Sequence, residues 1–210
     1  MNKNLTRIVF LSAISFAVAP AFAQFGALGG AFGGGSSASS GSVTPETLVT
    51  SYVAGDELVK SGQKQMITAL GIKTNEALAV LESKNYSANP TKSEIEESGR
   101  VQTAGNKAIE EGIATKAGKM SDDSKKEFVT GIGSLLLGVK KYSDMSTDLA
   151  NFKPSMTSIG GAAMSAVAIV PMVPTSIKNL VETLKHAIAF SKEQKMPGSE
   201  SNTVAGLPGF

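Results

Sequence analysis

The chain has no cysteine, no tryptophan and one histidine, His186. Without a thiol there is no disulfide scaffold, thiolate zinc site, cysteine nucleophile or CxxC redox pair. A single histidine builds no histidine metal cluster. His186 also reads as a surface residue: Ile177, Leu180, Val181, Leu184, Ala187 and Ile188 make the apolar stripe of its helix, and it falls off that stripe beside Asn179 and Glu182. No phosphate-binding loop, zinc motif or nucleophile elbow occurs. The acidic pairs Glu96-Glu97, Glu110-Glu111 and Asp122-Asp123 are adjacent, and helical neighbours diverge by about 100°, so neither member is placed to share a proton or metal with the other. The expectation is a non-enzymatic protein with no catalytic, metal or cofactor residues.

An excess of charge is missing too. Lys3 and Arg7 precede an uncharged run from Ile8 to Ala19, followed by Pro20-Ala21-Phe22-Ala23, which is the pattern of a Sec-type signal peptide cleaved after Ala23. That leader takes two of the 20 basic residues and leaves basic and acidic residues balanced at 18 each. A neutral mature chain has no net field to gather nucleic acid, and Lys125-Lys126-Glu127 is ordinary helix surface. The expected location is the periplasm or the exterior of a bacterium.

Residues 24–43 are mostly Gly and Ser and read as a flexible linker, with Phe25, Leu28 and Phe32 as its larger apolar residues. The expected ordered domain is 44–196, followed by a flexible tail over 197–210. Thr44-Pro45-Glu46 opens a helix to about Leu70, closed by Gly71. A shorter helix covers 73–84 and a loop 85–90. Thr91-Lys92-Ser93-Glu94 is a capping box for a helix to about Lys119. Ser121-Asp122-Asp123 caps another to about Asn151. Ser155 caps a segment interrupted by Pro171 and Pro174, and Thr175 restarts a helix to about Lys195.

Leu48, Tyr52, Gly55, Val59, Gly62, Met66 and Ala69 alternate steps of four and three, as do Phe128, Ile132, Leu135, Val139, Tyr142, Ser146 and Leu149. That is a heptad seam. No period of two is sustained, so the fold class expected is all-α: an up-and-down bundle of four to six helices, the long ones with heptad seams, and a flexible Gly/Ser-rich N-terminal arm. Six glycines stand seven apart in three helices, as Gly55 and Gly62, Gly105 and Gly112, and Gly131 and Gly138. Each costs about 0.5–1 kcal/mol relative to Ala, so a tertiary use is implied: close packing of neighbouring backbones, or loosened helices that rearrange to insert into a membrane or to close around an apolar ligand.

The stretch 159–174, IGGAAMSAVAIVPMVP, carries no charge. As a helix, residues 159–173 would cover about 22 Å against a hydrocarbon core of ~30 Å, and Pro171 should break it, so no stable membrane span is expected. Its small residues instead predict a central buried helix. The leading functional expectation is an exported protein that binds an unknown envelope or extracellular protein. One alternative is a carrier of an apolar small molecule or lipid, with Met164, Ile169, Met172 and the glycine seams lining a cleft. Another is a membrane-active protein that inserts 159–174 as a hairpin.

Overall fold

The computed structural model describes residues 43–116, 120–153 and 160–203, and these are all-α, with no strand among them. The leader, most of the Gly/Ser-rich segment, and Ser155 lie outside the described residues. Local chemistry accounts for the helix ends. In α1 (Pro45–Leu70) the Thr44 hydroxyl accepts from the Thr47 amide at 3.2 Å, Pro45 opens the first turn, and Gly71 closes it in the left-handed conformation, φ 60°. Thr74 caps the seven-residue α2 (Asn75–Leu81), which is shorter at both ends than the expected 73–84. In α3 (Lys92–Lys116) the capping box forms, with the Thr91 amide donating to Glu94 at 2.8 Å and the Glu94 amide donating to the Thr91 hydroxyl at 3.3 Å. The Ser121 hydroxyl caps α4 (Asp122–Asp144) through the Ser124 amide at 3.2 Å.

Two helices depart from expectation. The fourth does not run on to Asn151: it turns at Met145, and α5 (Ser146–Asn151) follows. A straight continuation would have put Ser146 on the core face. The turn moves the seam to Tyr142, Met145, Leu149 and Phe152, all buried, and leaves Ser146 in solvent. The last helix, α6 (Gly161–Glu193), is continuous for 33 residues and contains both Pro171 and Pro174. Each proline withholds an amide from the carbonyl four residues earlier. Pro171, Pro174 and Val167 all lie on the exposed side, where water can solvate what the ring leaves unbonded. A 3-10 turn (Ser199–Ser201) follows within the expected tail, and Ser199 is buried.

The four long helices enclose one core, centred on Tyr52, Val59, Met66, Ile109, Phe128, Ile132, Leu135 and Leu184. α4 lies antiparallel to α1, with Gly62 beside Gly131 and Gly55 beside the turn of Gly138. α3 runs the same way as α1, since Asp56 meets Ser98 and Gln63 meets Asn106 further along both. The return between them is made by α2 and an extended strap, residues 82–91, with Glu76 paired to Lys107 and Tyr86 reaching Asp56. α6 runs along α3, from the Ser165 hydroxyl on the Pro90 carbonyl to His186 on Glu110.

Candidate functional site

The glycines work as spacers between particular partners. A Cβ on Gly62 would stand 2.7 Å from the Gly131 carbonyl oxygen and 2.8 Å from the Leu135 amide nitrogen. A Cβ on Gly138 would stand 3.0 Å from the Gly55 carbonyl oxygen and 2.6 Å from Val59. Four of the six therefore form one antiparallel seam between α1 and α4. The other two face separate neighbours: Gly105 makes room for the Gln63 amide, and Gly112 for Ile72 and Leu70. Ile169 is buried in the core, Met164 is 48% exposed, and the Met172 methyl lies over Gly99. These three side chains do not converge on one cleft.

On its other side α1 carries a polar centre. Asp56 is 0% exposed, and its carboxylate accepts from Ser98 at 2.5 Å, Tyr86 at 2.8 Å, Tyr142 at 3.1 Å and the Gln102 amide at 3.3 Å. The Lys60 ammonium, one turn on, stands 2.9 Å from the same carboxylate and 4.3 Å above the Tyr86 ring. Tyr52, one turn back, stacks on Tyr142 at 5.5 Å and meets Tyr86 edge-on at 6.5 Å. All three tyrosines of the chain are thus gathered around one aspartate. The polar contacts continue along α1 and α3, where Gln63 donates to the Gln102 carbonyl at 2.7 Å and to Asn106 at 2.8 Å. Two polar atoms of this region, the Tyr52 hydroxyl and Gln63 Oε1, are buried without a hydrogen-bond partner.

Burial, and then the nearby charge of Asp56, push all three phenols above their ordinary value of 10.0. They stay protonated, and Tyr86 and Tyr142 donate to Asp56. Lys64, on the next turn of α1, is pulled down by burial and by neighbouring Lys60 while it donates to the Ser83 carbonyl at 3.2 Å. Five donors surround the two oxygens of the Asp56 carboxylate, which fills its lone-pair positions with groups of this chain. The arrangement holds α1, α3, α4 and the strap to one charge. Such a charge is costly to strand and only modestly stabilising when satisfied.

Two clefts flank the strap. One, of about 520 Å³, lies between Lys60, Tyr86, Ser93, Glu97 and Ser98. The other, of about 420 Å³, lies between Glu57, Lys60, Lys64 and Tyr86. A third, of about 610 Å³, separates α3 from α6 and is lined by Gly99, Gln102, Asn106, Met172 and Asn179. Among the described residues no group of three His, Asp or Glu is placed to hold a metal ion. His186 is exposed and bonded to Glu110 at 2.6 Å, Glu97 pairs with Arg100, and Glu111 with Lys107.

The described part of the 159–174 segment, residues 160–174, is not central, contrary to the sequence-based expectation. Ser165, Ala166, Ala168, Ile169 and Val173 are buried, whereas Met164 and Val167 are 48% and 44% exposed and Pro171 and Pro174 stand beside them. The helix packs on one side only, so absence of charge did not translate into burial all round. Its continuity through both prolines makes α6 long and apolar enough to cross a membrane by length and composition alone.

Asp56 was not singled out from sequence, because an aspartate next to a seam glycine looks like ordinary helix surface. A signal existed in the stripe Ser98, Gln102, Asn106, spaced by four on the face of α3 that meets α1. Compared with protein-family models, curated proteins and solved structures, the chain matches none.

Proposed function

We propose that this chain is an exported bacterial protein, a non-enzymatic up-and-down helical bundle with heptad seams, that acts by binding another protein in the cell envelope or outside the cell. The observation that carries this reading is the exposed apolar side of α6, where Met164, Val167, Pro171 and Pro174 stand in solvent in a stretch with no charge from Gly161 to Ile177. Contiguous exposed apolar surface is where soluble proteins meet partners. The leader-like residues 1–23 support export. The saturation of Asp56 supports a structural use of the main buried charge cluster.

A second reading, membrane association through α6, draws on the same side and on the unbroken passage of the helix through its prolines. The carrier reading has less support, since Met164, Ile169 and Met172 occupy three different surroundings. A photo-crosslinking side chain placed at Val167, with Leu137 of α4 as an exposed control, separates the two leading readings in the producing cell. The partner-binding reading expects a protein adduct from position 167 that position 137 does not give, on a chain beginning at Gln24. Lipid adducts alone at 167 would replace it with the membrane reading, and a chain retained in the cytoplasm would overturn both.

A further inference from the structure

The strap between α2 and α3 is tied down in an unusual way. Glu82, Lys84, Asn85, Ser87, Ala88 and Asn89 are exposed, and Tyr86 is the strap side chain that reaches the buried carboxylate. Beneath it the packing is incomplete: the clefts of about 520 and 420 Å³ open on its two sides and share Lys60, Asn85 and Tyr86. The larger cleft lies between the strap and α3 and the smaller between the strap and α1, and the Tyr86 ring, Asn85 and the Lys60 side chain form the wall between them. The lower end of the strap is clamped separately. Glu94 accepts from the Ser87 amide at 2.9 Å and from the Thr91 amide at 2.8 Å. The upper end rests on Lys64 and the Ser83 carbonyl.

We propose that residues 82–91 form a hinged lid over these clefts, with Tyr86 as the latch and Asp56 as the catch. Segments with few buried apolar contacts open without global unfolding, and the middle of the strap is held by Tyr86 between two hydrogen-bonded ends, the lower one also tied by the Ser165 hydroxyl to the Pro90 carbonyl. Swinging Tyr86 out joins the two clefts, while Ser98, Gln102, Tyr142 and Lys60 remain on Asp56. The lid does not depend on the partner-binding reading, because its opening belongs to the isolated chain.

Lys84, exposed in the middle of the strap, makes opening measurable as the initial rate of tryptic cleavage after it, with Lys195 beyond α6 as the reference site. Tyr86→Phe removes the hydrogen bond to a charged acceptor and keeps the ring. Cleavage at Lys84 should rise at least about tenfold while cleavage at Lys195 stays the same. Glu94→Gln weakens the lower clamp and should raise the Lys84 rate without touching the latch. Tyr142→Phe removes a different donor from the same carboxylate, from α4, and should leave the Lys84 rate unchanged. If Tyr86→Phe and Glu94→Gln both leave Lys84 at its original rate, or if Tyr142→Phe raises it as much as Tyr86→Phe does, the strap is not an independent lid and the proposal falls.

Discussion

Gly62 and Gly131 face each other across α1 and α4 so closely that a methyl group on Gly62 would stand 2.7 Å from the Gly131 carbonyl oxygen. The obstacle is backbone on both counts, Gly131 and Leu135, so no side chain can swing aside. Gly62→Ala should therefore destabilise the fold by about 1–3 kcal/mol, the cost of overpacking a close interface. Gly133, also in α4, has nothing within 4 Å of its missing Cβ, and Gly133→Ala should stabilise by about 0.5–1 kcal/mol. Urea unfolding followed by helical circular dichroism measures both; equal effects would show that the seam is not tight.

Asp56→Asn keeps the size of the side chain and removes its charge, leaving the Lys60 ammonium without its partner. Loss of one member of a buried pair costs about 3–5 kcal/mol. Urea unfolding should show a loss of that order. A loss below 1 kcal/mol would mean that the cluster contributes little to the fold.

The three tyrosines are the only tyrosines, and tryptophan is absent, so ultraviolet absorbance of the phenolate reports this cluster alone. Burial first and Asp56 second raise all three phenols above 10.0 in the folded chain. A group with a raised folded value adds stability that is complete below its unfolded value and is lost as the pH rises above it. Phenolate absorbance should stay flat through pH 10 while the helices persist, then rise together with loss of helical dichroism. Titration of one or more tyrosines near pH 10 in the folded chain would contradict the geometry around Asp56.

Glu94 behaves in the opposite sense. Hydrogen bonds from the Thr91 amide, then from the Ser87 amide, lower it from 4.5 to about 2. Its contribution is present above 4.5 and is lost as the pH falls toward 2. Proteolysis of the strap should accelerate over that acid window in the wild type, read with an acid-active protease. Glu94→Gln should flatten the dependence, and an identical pH profile in the two proteins would rule Glu94 out as the clamp.

The two central helices were legible because their signals are local or periodic. Thr44-Pro45, Gly71, the Thr91 to Glu94 box and Ser121 each satisfy their own helix ends, and the heptads of α1 and α4 mark the buried side of each. The glycine spacing flagged a tight contact. It did not say that Gly55 and Gly62 meet Gly138 and Gly131 while Gly105 admits Gln63, because partner choice depends on which helices become neighbours.

The amino-acid sequence by itself determined the all-α class, most helix boundaries and the core side of α1 and α4, since caps and heptad steps act within one helix. Tertiary structure alone decided the rest. It turned the chain at Met145, carried α6 through two prolines on the solvent side, and left Met164 and Val167 uncovered. It also drew Tyr52, Tyr86 and Tyr142, from two helices and the strap, around Asp56. A buried charge is held by donors far apart in the chain, and no local pattern announces where they will meet.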